Sequence, residues 1–328
     1  MHRIGRGGYG EVWLARNLIG TQHAVKVVHR KRFDRERPYQ REFEGIQNFE
    51  PISSSHEGFV RILQVGRNET EGYFYYVMEL ADDATAVQSA KSKVQSARSD
   101  RSSSRERGQR PSKLEPAISN NPSYVPLTLE RELGQRGRLP LGECLDLGLS
   151  MTAALAKLHA RGLVHRDVKP SNIIFVEGVP KLADIGTVAE MREATTLVGT
   201  EGFIPREGSK SSAADLYSLG KVLYEMSTGL DRKQFPKLPP DLKDHPDPVS
   251  FSMLNEILLR ACALDPQQRY WKAEEMHADL AQVKQHQTIR HQQRLARRRV
   301  IARRFVLAVL LMGAAIAALV LVRRFVGR

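Results

Sequence analysis

The run His165-Arg166-Asp167-Val168-Lys169-Pro170-Ser171-Asn172 places a carboxylate, an ammonium and an amide within six residues, and Asp184-Ile185-Gly186 follows twelve residues after Asn172. Side chains of these types suit phosphoryl transfer to a hydroxyl. That reaction asks a protein for little covalent chemistry; it needs phosphates held close, their charge neutralised by metal, and an acceptor oxygen in line. Asp167 can accept the hydroxyl proton, and Lys169 can neutralise the moving γ-phosphate. Asn172 and Asp184 offer oxygen ligands of the kind Mg²⁺ takes when phosphates complete its shell.

Upstream, Gly5-Arg6-Gly7-Gly8-Tyr9-Gly10-Glu11-Val12 has the G-x-G-x-x-G-x-V spacing. Gly5, Gly7 and Gly10 let a backbone close over phosphates without Cβ clashes, and Val12 is placed to roof a base. The same glycine spacing serves dinucleotide folds, but there it opens a helix. Here strand-like runs follow on both sides of Asn17–Thr21, which disfavours that reading. Lys26, flanked by Val25 and Val27, sits on the second run, where its ammonium can meet α/β-phosphates. A carboxylate must hold that lysine. Glu42 is preferred because Phe43, Ile46 and Phe49 form an apolar stripe beside it at helical spacing; Glu44 is the alternative.

The elements that position these groups are legible as periodicity. Gly72 to Leu80 is aromatic and β-branched and reads as a buried strand. From Leu127 onward the pattern is helical, with helices expected over Leu141–His159, Asp215–Thr228 and Met253–Leu264, and a polar helix over 274–300. Residues 84–123 differ in kind, with ten Ser, eight Lys/Arg and few large apolar residues, and read as a disordered or loop insertion.

Taken together, these motifs resemble the eukaryotic-type (Hanks-type) serine/threonine protein kinases in their bacterial branch. The resemblance runs from about Ile4 to Leu280 around the insertion. It takes in Ala24-Val25-Lys26, the segment Gly199-Thr200-Glu201-Gly202-Phe203-Ile204-Pro205-Arg206-Glu207, the helix start Asp215-Leu216-Tyr217-Ser218-Leu219-Gly220 and Asp265-Pro266-Gln267-Gln268-Arg269. It implies an α+β, two-lobed fold: a β-rich N-lobe with one helix over residues 1–83 and a helical C-lobe over 124–283. It also implies ATP and Mg²⁺ as cofactors, with Met78 as gatekeeper and Glu79–Ala81 as a hinge against adenine, Ala24 lining the same site. Catalysis falls to Asp167, Lys169, Lys26 and Glu42, and metal binding to Asn172 and Asp184. Glu207 is expected to pair with Arg269, Asp215 to brace the catalytic loop, and Thr195 and Thr196 to be autophosphorylated. Three departures stand out: Ile185 for the usual Phe, Arg206 for the usual Pro, and a first strand expected to be short, since four residues precede Gly5. The first is a tolerable apolar swap; the other two keep open an alternative, a nucleotide-binding pseudokinase scaffold.

The formal charge is +13, but eleven Lys/Arg and no acidic residue lie from Lys284 to the end, leaving only +2 for the rest. Basicity concentrated at one end argues against a nucleic-acid surface spread over the fold. Cys144 and Cys262 are far apart in apolar stretches and read as reduced buried thiols. Residues 305–322 are eighteen uncharged apolar residues preceded by seven Arg over 290–304. At 1.5 Å per residue such a run covers roughly 27 Å, about the hydrocarbon thickness. It is expected to be a single transmembrane helix behind a basic juxtamembrane segment (284–304), with the tail 323–328 beyond it. The arginine asymmetry puts the catalytic domain in the cytoplasm, where the collar can meet anionic lipid headgroups. Gly313 and Ala317 form a small-x-x-x-small pair compatible with a homodimer. The expected substrates are Ser/Thr-bearing proteins.

Overall fold

The computed structural model describes residues 2–6, 10–89, 124–190, 199–242, 245–290 and 292. Gly7, Thr195, Thr196, residues 90–123 of the insertion and the 305–322 segment lie outside them. Among the described residues no helix is long and apolar enough to cross a membrane.

The N-lobe is built on alternation. Strands β1 (His2–Arg6), β2 (Gly10–Arg16), β3 (Gln22–His29), β4 (Ile62–Asn68) and β5 (Tyr73–Met78) form one antiparallel sheet in the order β1-β2-β3-β5-β4. The side-chain period of two puts Ala24, Lys26 and Val28 on the buried face of β3, so the lysine is carried inside by its apolar neighbours. β5 is not buried throughout, as its composition suggests. Phe74 and Tyr76 are buried while Tyr73 and Tyr75 are half-exposed, because only one face of the sheet is covered by a helix.

That helix is α1 (Glu36–Phe49), with Tyr39, Glu42, Gly45, Ile46 and Phe49 on its buried side. Glu42 belongs to the buried stripe itself, whereas Glu44 is exposed. The difference in burial between these positions therefore decides which glutamate meets the lysine.

The C-lobe holds α2 (Leu129–Arg136), α3 (Leu141–His159), α4 (Ser212–Thr228), α5 (Pro248–Ala261) and a helix over 273–290. α5 begins earlier than its apolar periodicity because Asp247 accepts from the Ser250 amide at its N-terminus and Pro248 suits the first turn. α3 is the spine of the lobe; Met151, Ala154, Leu155 and Leu158 are fully buried, and one apolar core joins it to both lobes. Two short ribbons, β6 (Leu163–Val164) with β9 (Ala189–Glu190) and β7 (Ile173–Val176) with β8 (Val179–Leu182), lie between the lobes. The 273–290 helix carries the start of the basic stretch onto this lobe, since Lys284 Nζ lies 2.9 Å from Asp146 and Arg290 3.2 Å from Asp247.

The insertion begins as helix, over 84–89, and the chain is back beside its point of departure by Tyr124. Ala84 N–H donates to Val125 O at 2.9 Å, and the Tyr124 hydroxyl donates to Ala81 O at 2.8 Å. The described flanks of the insertion thus meet, which lets the connector between the lobes keep its path.

Candidate active site

Lys26 reaches out of β3 into a cleft of about 570 Å³ between the lobes. Its Nζ lies 2.6 Å from Asp184 Oδ1 and 3.5 Å from Glu42 Oε1. Burial works to lower the lysine pKa, but Asp184, helped by Glu42, outweighs it and holds the ammonium well above the usual range. Asp184 is depressed in turn, chiefly by the Lys26 charge. Glu42 has a different balance: burial pushes its carboxyl up to about 7 against the pull of Lys26. The stronger of the two ion pairs here is Lys26–Asp184.

Two glycines allow this approach. A Cβ on Gly45 would sit 2.5 Å from Val188 O, so α1 can lie on the segment after Asp184 only without one. A Cβ on Gly186 would overlap the Glu42 carboxylate. Asp184 itself is left-handed, with φ 55° and ψ 61°, a conformation that costs a non-glycine residue about 1–3 kcal/mol and persists where surrounding contacts over-determine it. The bond to Lys26 is one such contact.

Asp167 ends a second network. Its Oδ1 accepts from Thr200 Oγ1 at 2.9 Å, and its Oδ2 from Asn172 Nδ2 at 2.8 Å. Lys169 Nζ lies 2.7 Å from Asp167 Oδ2 and donates to Thr200 Oγ1 at 2.8 Å. The backbone beneath is held by Asp215 from α4, which is 1% exposed. It accepts from the amides of His165 and Arg166, both at 2.8 Å, and lies 2.9 Å from His159 Nε2. Arg166 is left-handed at φ 73°, and the paired amides hold it so. Asp215→Ala would leave two buried N–H groups without their acceptor, at about 1–3 kcal/mol each. The expected result is a clearly lower urea midpoint together with reduced turnover; an unchanged midpoint would show that the loop does not depend on this carboxylate.

Asn172 commits its amide nitrogen to Asp167, through both the side chain and the carbonyl oxygen at 2.8 Å, which leaves its Oδ1 as the uncommitted end. That oxygen and the Asp184 carboxylate line the same cleft. Among the described residues no cluster of three or more His, Cys, Asp or Glu forms a metal cage. One amide and one carboxylate oxygen fit Mg²⁺, which takes few protein ligands and fills its shell with phosphates and water; when bound it would neutralise phosphate charge.

The apolar end of the cleft is lined by Val12, Ala24, Met78 and Ile174, with Glu79 and Ala81 at its edge and Gly5 at its roof. Gly10 lies in β2 and does not line it. The connector is pinned to the C-lobe. Glu79 Oε2 lies 2.7 Å from Lys181 Nζ, and the Asp82 carboxylate accepts from the amides of Glu177 and Gly178 at 2.8 Å. Farther out, Arg269 is 3% exposed and pairs with Glu207 through both guanidinium nitrogens; Arg206 next to it is exposed, so the missing proline leaves that pair intact.

Lys26, Glu42, Asp167, Lys169, Asn172 and Asp184 therefore meet in one cleft, as their motifs suggest. The motifs gave no sign of Thr200 bridging Asp167 and Lys169, of Tyr76 lining the back of the cleft, or of the Glu79–Lys181 pair. Gly45 had a signal, since a glycine inside an amphipathic helix marks a close approach.

The protein kinase domain family matches residues 123–286, half of the chain. A probable serine/threonine-protein kinase of Clostridium perfringens (strain 13 / Type A) is 33% identical over 180 residues, covering 48% of this chain and 26% of its own. Serine/threonine-protein kinase PrkC of Bacillus subtilis (strain 168) is 27% identical over 305 residues, covering 84% of this chain and 39% of its own. Serine/threonine-protein kinase PknB of Mycobacterium leprae (strain TN) is 27% identical over 312 residues, covering 85% and 42%. With its two-lobed fold and this cleft, the chain belongs to the protein kinase family. It spans about a quarter of the length of the first of these relatives.

Proposed function

We propose that the chain is an ATP-dependent protein serine/threonine kinase that transfers the γ-phosphate of ATP to Ser/Thr hydroxyls of proteins, itself included. The observation that carries this reading is the convergence of Lys26, Asp167, Asn172 and Asp184 on one cleft with an apolar end. Met78, Glu79 and Ala81 border the adenine, and Lys26 holds the inner phosphates. Asn172 and Asp184 hold Mg²⁺. Asp167 takes the acceptor hydroxyl's proton, and Lys169 offsets charge on the transferred group. Thr200, bonded to both, sets where the acceptor oxygen sits. Contributions of this kind are positional and electrostatic, as phosphoryl transfer requires.

The anchoring half of the proposal rests on sequence. Residues 305–322 span the bilayer once, the seven Arg before them stay with anionic headgroups on the cytoplasmic side, and the catalytic domain faces ATP there. The full chain, expressed and reconstituted in detergent or lipid discs, is expected to incorporate label from γ-labelled ATP and Mg²⁺ into serine or threonine. It is also expected to stay in the membrane pellet after alkaline carbonate washing. ATP binding with no transfer to itself or to a generic protein substrate would favour the scaffold reading; release by carbonate would remove the membrane span.

A further inference from the structure

Resting on the reading that this cleft binds ATP, we propose that Tyr76 is a positioning residue for the nucleotide: its hydroxyl holds the Lys26 ammonium toward the phosphates once Lys26 gives up its bond to Asp184. The sheet register places it there. Tyr76 is the cross-strand partner of Lys26. It is 1% exposed, lines the cleft, and its ring centre lies 5.9 Å from Lys26 Nζ.

Among the described residues neither the Tyr76 hydroxyl nor Glu42 Oε1 makes a hydrogen bond of good geometry, although the Lys26 ammonium faces both. A buried hydroxyl without a bond of good geometry destabilises the fold, and Phe would fill the same space without that cost. A tyrosine here calls for a state in which its oxygen is used. Burial holds the phenol well above its ordinary range, against the effect of Lys26, so it keeps its proton and can both accept and donate. The charges that act on it are Lys26 from β3, Asp184 from the segment after β8, and Glu42 from α1.

An ammonium has three N–H groups. In this structure one is committed to Asp184 at 2.6 Å, while Glu42 stands off at 3.5 Å. When a nucleotide engages Lys26 and Asp184 turns to its own ligand, the lysine needs acceptors to fix its direction. One is a phosphate, one is Glu42, and the third within reach is the Tyr76 oxygen, whose own O–H is then free to donate to Glu42 Oε1. Phe can do neither.

The test compares Tyr76→Phe with the wild-type full chain in the same detergent. Without nucleotide the variant is expected to melt at an equal or higher temperature, because a poorly bonded buried hydroxyl has been removed. Its affinity for ATP, measured by calorimetry, is expected to fall about fivefold, the effect of roughly one hydrogen bond. KM for ATP should rise in step, with kcat within about twofold and KM for the protein acceptor unchanged. Affinity within twofold of wild type overturns the proposal. So does a lower melting temperature accompanying the affinity loss, which marks a packing role. A wild-type chain that binds no ATP sinks the kinase reading and this proposal together, whereas normal wild-type binding matched by the Phe variant sinks only the role of Tyr76.

Discussion

Asp167→Asn is expected to lower kcat about 10³-fold, within the range assigned to a positioned general base, while ATP affinity changes by no more than a few-fold. The substitution is nearly isosteric, yet the network around it can be satisfied in only one way. Two donors, Asn172 Nδ2 and Lys169 Nζ, converge on Oδ2 at 2.8 and 2.7 Å, so the new amide must point its oxygen there. Its NH₂ then faces Thr200 Oγ1, which already accepts from Lys169 at 2.8 Å and must stop donating. The result is a folded protein whose acceptor hydroxyl has lost its proton acceptor and whose Thr200 has turned. Single-turnover transfer and calorimetric ATP binding separate the two effects. Turnover equal to wild type would reject Asp167 as the base; loss of ATP binding to the same extent as turnover would show that the substitution damages the cleft.

The contrast between this residue and Tyr76 shows what could be read from the chain. Asp167, Lys169 and Asn172 lie within six residues on one loop, so local spacing alone brings them together. Lys26 and Glu42 needed one more step, the helical face of α1, and the buried position of Glu42 against the exposed Glu44 agrees with that step. Tyr76 was invisible because a run of aromatic residues does not say which face is covered; that depends on α1 crossing the sheet. Thr200 and Lys181 meet their partners across 33 and 102 residues of chain, and no local pattern encodes those pairings. The starts of α4 and α5 lie ahead of their apolar periodicity for another reason. Apolar periodicity marks where a helix is buried, whereas Ser211 and Asp247 mark where its first amides are capped.

Gly45→Ala is expected to reduce kcat/KM by about 10²-fold, and the sign runs against helix propensity. Alanine in a helix interior is favoured over glycine by roughly 1 kcal/mol, so α1 considered alone gains from the change. The new Cβ, however, would lie 2.5 Å from Val188 O and 3.5 Å from its carbonyl carbon. The obstacle is backbone, which cannot swing aside as a side-chain tip can. α1 must therefore lift, and Glu42, one turn earlier and already 3.5 Å from Lys26, moves with it. Lys26 is left with Asp184 as its one close carboxylate, in the pairing that competes with metal binding. A displacement on the order of 1 Å at a positioning group is enough to cost roughly 10²-fold. Circular dichroism should show helix content unchanged or slightly raised, and Glu44→Ala, on the exposed side of the same helix, should leave kcat/KM as it was. If Gly45→Ala were as active as wild type, contact between α1 and the segment after Asp184 would not be what holds Glu42 in place. If instead the variant lost helix and melted early, the effect would lie in stability and not in the position of the glutamate.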